Sequence, residues 1–165
     1  MLLKQKIIAA HLLKRLINKM SNSAFDHIAY ATNHTDNSME IFSILGFKNQ
    51  LFYKQKIDKF SSYITKLQSA TGQVLELVEP YSNQSVVSKI LQNQQAIIYH
   101  SAFFTADLIL TLTQLKKAGA VIITEPMTIP YPASIAHTQY HTSHVFHSHV
   151  GLFEVTGPLL EEFKK

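Results

Sequence analysis

A strand, a helix and three further strands occur twice in succession along this chain, and each copy places a histidine in its first strand and a glutamate in its last. In the first copy "FDHIAYA" has the β-branched and aromatic content of a strand. Asn33 to Asn37 supplies turn and cap residues, and "SMEIFSILG" is expected as a short helix. That helix directs Met39, Ile41, Phe42 and Leu45 inward and stops at Gly46. "NQLFYKQKI", "SSYITKLQS" and "QVLELVEP" follow as strands, the last ended by Pro80, and "SVVSKILQN" reads as a connecting helix. The second copy opens with the strand "AIIYHSAFF". Asp107 then caps the helix "LILTLTQLKKAG", which closes at Gly119. "AVIITEP", "HTSHVF" and "VGLFEV" are its remaining strands, with "IPYPAS" as a proline-bearing loop. The expectation is an α+β body over residues 21–165, built from two paired βαβββ modules at about 24–82 and 96–157.

Composition narrows the chemistry. The chain has no cysteine, which excludes disulfides, thiol nucleophiles, zinc ribbons and iron–sulfur clusters. A metal here takes His, Asp, Glu or backbone oxygen as ligand. The net charge of +4 is local in origin: Lys4, Lys6, Lys14, Arg15 and Lys19 stand in the first 19 residues without an acid, and the remainder is slightly acidic. A body without basic surplus argues against a nucleic-acid partner. Residues 1–20 read as an amphipathic helix, with Lys4, His11, Arg15 and Asn18 on one stripe and Leu3, Ile7, Ala10, Leu13 and Ile17 opposite. Three readings stay open: a helix docked on the body or a partner subunit, a membrane-surface helix, or an extension upstream of a second start at Met20. The segment is too interrupted to span a bilayer, and the expected location is cytoplasmic.

Glu76 follows His27 by 49 residues and Glu154 follows His100 by 54, so four ionisable side chains occupy corresponding places in the two copies. Burying "VLELV" or "GLFEV" with an unpaired carboxylate is costly, and the chain has a single arginine, Arg15, to offer. A shared divalent metal is the economical partner. Two imidazoles and two carboxylates suit Co, Zn, Ni, Mn or Fe and are too nitrogen-rich for Mg or Ca. Four ligands on an octahedral ion leave two positions open, as catalysis requires. The rival reading keeps His27 and His100 as hydrogen-bonded core histidines and turns Glu76 and Glu154 outward to solvent. Five further histidines, His137, His141, His144, His147 and His149, lie in a thirteen-residue stretch. Their spacing matches no zinc motif, though His147 and His149 together are a candidate second chelate. His144 is a candidate for the substrate pocket, because its strand neighbours that of Glu154.

The stretches "FDHIAYA", "QVLELVEP", "YHSAFFTADL" with "LTQLKKAGA", and "GLFEVTGP" resemble the vicinal oxygen chelate superfamily, which includes glyoxalase I, extradiol dioxygenases and methylmalonyl-CoA epimerase. The resemblance covers about residues 24–157, and "LELVEP", "SVVSKIL" and "YHSAFFTAD" are most similar to the epimerase branch. It implies curved mixed sheets around one central cavity and a single metal. By position it carries the ligand histidines onto His27 and His100 and the ligand carboxylates onto Glu76 and Glu154. Two departures stand out. Tyr99 precedes His100 where epimerases pair two histidines, and Phe60 stands where they carry an acidic residue, with Asp58 two residues away.

The resemblance implies a metal-dependent epimerase or isomerase that removes an α-proton from an acyl thioester-like small molecule through a metal-stabilised enolate. Glu154, Glu76 and Asp58 are the candidate proton carriers. A glyoxalase I-like lyase and a non-catalytic small-molecule binding protein of the same fold remain alternatives. A homodimer is expected from the family alone.

Overall fold

The computed structural model describes residues 23–130 and 140–159. The amphipathic segment 1–20, His137 and most of the "IPYPAS" loop lie outside the described residues. The first module runs β1 (Ala24–Thr32), α1 (Thr35–Ile44), β2 (Asn49–Ile57), a 3-10 turn (Asp58–Phe60), β3 (Ser62–Gln68) and β4 (Val74–Pro80). A short helix α2 (Val86–Ile90) leads to the second module: β5 (Ala96–Phe104), α3 (Leu108–Lys117), β6 (Val121–Ile122), β7 (Met127–Thr128), β8 (His141–His147) and β9 (Gly151–Gly157).

All nine strands join one curved, unclosed mixed sheet in the order β2-β3-β4-β1-β5-β9-β8-β6, with β7 on β8. The order reads the same outward from its centre. β1 is parallel to β4, β5 is parallel to β9, and the two opening strands meet antiparallel. Each half thus repeats the other across the β1–β5 ladder, as the duplicated pattern requires.

Strand alternation divides the side chains between two faces. On the outer face, Leu67, Leu75 and Leu77 pack with Tyr30, Met39, Phe42 and Phe47 under α1. Leu108, Leu112, Val145, Phe153 and Val155 pack likewise under α3. The inner face carries His27, Ala29, Glu76, His100, Ala102, His144 and Glu154, all buried. Ala29 and Ala102 are fully buried between the polar positions, where a larger side chain would fill the space the site occupies.

Helix α1 differs from expectation in its facing. Met39 and Phe42 point inward, whereas Ile41 and Leu45 are 58% and 66% exposed. Thr35, Met39 and Phe42 lie on the i, i+4, i+7 stripe that meets the sheet, which rotates Ile41, Ile44 and Leu45 away from it. The N-terminus of α1 is fastened from a distance: the Thr35 backbone N–H donates to Glu79 Oε2 on β4 at 2.9 Å. Asp107 caps α3 as expected, accepting from the Leu110 N–H at 3.0 Å. The "AVIITEP" strand is shorter than expected, because after Ile122 the Ile123 and Thr124 N–H groups both turn to the His144 carbonyl.

At the end of β9 the chain passes close to Thr105. A Cβ on Gly157 would lie well inside van der Waals contact of the Thr105 carbonyl oxygen and 3.0 Å from its Cγ2. Gly157→Ala is therefore expected to destabilise the fold by about 1–3 kcal/mol, the usual cost of overpacking. Urea unfolding of the variant measures this directly, and an unchanged midpoint would show that the two strands separate freely there.

Candidate metal centre

The β1–β5 ladder sets the centre of the site. Its register places His27 opposite Ala102 and Ala29 opposite His100. The parallel neighbours then add one carboxylate each: Glu76 stands beside Ala29 and Glu154 beside Ala102. One strand further out, β3 pairs Lys66 with Glu76 and β8 pairs His144 with Glu154. The two halves thus present corresponding triplets, His27–Glu76–Lys66 and His100–Glu154–His144, differing in the outermost residue.

Glu76 and Glu154 are 3% and 4% exposed, which overturns the alternative that they face solvent. Donor atoms of His27, Glu76 and His100 lie within 4.8 Å of one another, as do those of His100, His144 and Glu154. Glu76 Oε2 lies 3.6 Å from His27 Nε2, and Glu154 Oε2 lies 3.6 Å from His144 Nε2. These separations are too long for hydrogen bonds and suit two donors sharing one ion at bond lengths of about 2.0–2.2 Å. His27 Nε2 and both ring nitrogens of His100 are buried without hydrogen-bond partners among the described residues. A protein rarely leaves such groups unsatisfied, so the donor set fits a divalent metal.

The outer contacts aim the rings. Asp26 Oδ2 lies 2.6 Å from His27 Nδ1 and turns Nε2 inward. Thr124 Oγ1 does the same for His144, lying 3.3 Å from Nδ1 and accepting from the His144 backbone N–H at 2.8 Å. Burial pushes the His100 imidazole down to about 4, against the pull of Glu154 and Glu76, so it is neutral at pH 7 and offers a lone pair. Burial also works to raise the Glu76 carboxyl, but Lys66, with His27 and His100, overrides it and holds the group below the ordinary carboxylate range. Burial works the same way on Asp26, and its hydrogen bond and attraction to His27, with Lys66 beyond, hold it low.

A cavity of about 370 Å³ opens beside this cluster and is lined by residues of both modules. Ile64, Val78, Val87, Ile90, Met127 and Ile129 form apolar walls, and Glu76, His100, His144 and Glu154 form the polar floor. Tyr99, the residue where epimerases have a second histidine, lines the cavity as a neutral phenol, its pKa raised by burial and by the charges of Glu154 and Glu76. Phe60 also lines it and meets the His144 ring edge-on, with centroids 5.7 Å apart.

Asp58 is not brought to the cluster. Its side chain is 78% exposed, 2.7 Å from Lys56 Nζ, and it accepts from Tyr81 Oη at 2.7 Å. Of the histidine-rich stretch, only His144 reaches the site among the described residues. The His147 and His149 rings lie against each other at a tilt of 50° with centroids 5.5 Å apart, outside both donor groups. Asp26 and Lys66 join the site without being singled out by the repeat. The tightly alternating strand "SSYITKLQS" was the available signal for Lys66, since it sends Lys66 to the same face as Ile64.

Lys66 Nζ and Glu76 Oε2 form a buried ion pair at 3.3 Å. In chelator-treated protein, Lys66→Met is expected to cost roughly 3–5 kcal/mol, because it strands a buried carboxylate. Adding Glu76→Leu to Lys66→Met is expected to restore most of that loss. Denaturant titration of the wild type, the single and the double variant checks this, and an undiminished double-variant loss would count against the pairing.

The sequence matches the Glyoxalase/Bleomycin resistance protein/Dioxygenase superfamily over residues 26–135, well over half of the chain. No curated protein matches it. Among solved structures, methylmalonyl-CoA epimerase from Mycobacterium tuberculosis superposes with a TM-score of 0.67 at 17% identity, over 83% of this chain and 89% of that one. A hypothetical protein from Bacillus halodurans C-125 gives 0.67 at 19% identity, over 86% and 99%. Streptomyces coelicolor methylmalonyl-CoA epimerase, in complex with 2-nitronate-propionyl-CoA, gives 0.65 at 20% identity, over 82% and 97%. At these identities the likeness is one of fold. With its paired modules and its family match, the chain belongs to the glyoxalase, bleomycin resistance protein and dioxygenase superfamily.

Proposed function

We propose that this protein is a metal-dependent epimerase or isomerase that moves the proton next to a carbonyl, acting on a small acyl thioester-like molecule. The observation that carries this reading is the juxtaposition of two buried carboxylates and two histidine rings on the floor of an apolar cavity, with His27 buried behind them in the same donor cluster. His27, Glu76, His100, His144 and Glu154 are the residues that would hold a divalent ion, which when bound would supply Lewis acidity toward a carbonyl beside the proton to be removed. Co, Zn, Ni, Mn and Fe are all compatible with these donors.

The chain's own residues do the rest. The apolar walls bind the acyl portion and exclude water, which strengthens every charge on the floor. Glu154 and Glu76 belong to opposite halves of the sheet, and both face the cavity. A carboxylate beside the substrate can take the proton, and its return to the other face of the same carbon completes the exchange. Tyr99 stands between their strands as a neutral hydrogen-bond donor. Asp58 serves as a proton carrier only if the Asp58–Phe60 turn moves, since Phe60 occupies the cavity in its place.

The epimerases among the structural neighbours support this reading, and one of them holds a CoA analogue. A glyoxalase-type lyase shares the proton-transfer step and differs in where the proton returns. Dimerisation and a cytoplasmic location belong to the same reading. The exposed Ile41, Ile44 and Leu45 offer apolar surface for association, and no helix among the described residues is long and apolar enough to cross a membrane.

Incubation of metal-loaded protein with 2-methyl-branched acyl thioesters and with hemithioacetals in deuterated water, followed by proton NMR, tests the proposal. Enzyme-dependent loss of the α-proton signal is expected, with Glu76→Gln, in folded and metal-loaded protein, reducing the rate by at least about 100-fold, the low end of what a positioned acid–base group contributes. Binding of these compounds without exchange would leave a sequestering protein as the better account.

A further inference from the structure

The two halves of the site are not equivalent, and the difference lies in Lys66 and His144. These residues occupy corresponding places, each directly across the ladder from its half's glutamate. In the first half, Lys66 Nζ lies 3.3 Å from Glu76 Oε2, the same oxygen that faces His27 Nε2. Asp26, His27, Glu76 and Lys66 thus form a row in which each carboxylate already has a basic group beside it, while His27 Nε2 has no hydrogen-bond partner among the described residues.

The second half is open. Among the described residues, Glu154 makes no ion pair with lysine or arginine, although it is 4% exposed. Its Oε1 accepts from Thr156 Oγ1 at 2.9 Å, and its Oε2 faces His144 Nε2 at 3.6 Å. His144 is 8% exposed, with Nδ1 against Thr124 and Nε2 toward Glu154. His100, both of whose ring nitrogens lack hydrogen-bond partners, completes the group. A buried carboxylate without a cation, facing two inward nitrogens, is the half of the site that calls for one.

We propose that the metal is held by His100, His144 and Glu154, so that His144 is a ligand and Glu76, kept by Lys66, is not. This rests on the metal-dependent reading of the same site. Two histidines and one carboxylate suffice for a catalytic centre with open positions. The arrangement keeps Glu76, paired with Lys66, off the metal and on the cavity wall beside the substrate.

Zinc titration of protein labelled with 15N-histidine tests the assignment. The His144 ring signals are identified as those missing from a His144→Gln variant. On adding zinc to the wild type, one His144 ring nitrogen is expected to move to the position of a metal-bound imidazole. Calorimetric titration of folded His144→Gln should show affinity weakened by at least about 100-fold, beyond the usual effect of losing an outer-shell partner. The double variant Lys66→Met with Glu76→Leu should bind zinc within about 10-fold of the wild type, since it removes a pair outside the coordination sphere. Zinc binding that leaves the His144 ring unshifted, or that is lost in the double variant while that chain stays folded, overturns the assignment but not the metal. Failure of the wild type to bind zinc, cobalt, nickel or manganese overturns the metal-dependent reading itself and this assignment with it.

Discussion

The antiparallel pairing of β1 with β5 is the interaction on which the rest of this structure depends. Its register sets His27 opposite Ala102 and Ala29 opposite His100, bringing the two ring centroids to 5.7 Å. Side chains alternate with a period of two, so a slip of one residue by either strand would turn its histidine to the outer face, under the helices. The parallel strands β4 and β9 take their register from this ladder, and they carry the glutamates in with them. Alanine at positions 29 and 102 is what lets four polar chains converge there, because a larger side chain would occupy the space between them.

That convergence is expensive, and its cost explains the surroundings. Two carboxylates and three imidazoles out of water require compensation. The first half supplies it internally through Asp26 and Lys66, while among the described residues the second supplies hydroxyls, from Thr124 and Thr156. The duplicated fold therefore holds an asymmetric site. An enzyme that handles the two faces of one carbon gains from such asymmetry, because one carboxylate can serve the metal while the other serves the substrate.

Much of this was legible in the sequence because strand alternation and duplication are strong signals. "AIIYHSAFF" forms β5 over its whole length, and the matched His and Glu positions of the two copies all point inward. What escaped depended on packing between elements. Ile41 and Leu45 fall within a helical apolar pattern that leaves two choices of face, and the docking of Met39 and Phe42 on the sheet decides between them. Lys66 passes for an ordinary strand lysine until its partner across the ladder is known to be Glu76. His144 is set apart from its neighbouring histidines in the sequence by a strand expected beside that of Glu154, but its place directly across from Glu154 comes only from the β8–β9 register. Asp58 is near Phe60 in sequence, but the intervening 3-10 turn sends one outward and the other into the cavity.

The central claim is that the buried cluster holds a metal, and the most direct measurement is elemental analysis of purified protein before and after reconstitution, beside a folded His100→Ala variant. His100 belongs to both donor groups, so its loss damages the site whichever carboxylate is the ligand. The account predicts about one divalent transition metal per chain in the wild type and a small fraction of that in the variant. Wild-type protein that stays metal-free in the presence of zinc, cobalt, nickel and manganese would contradict it.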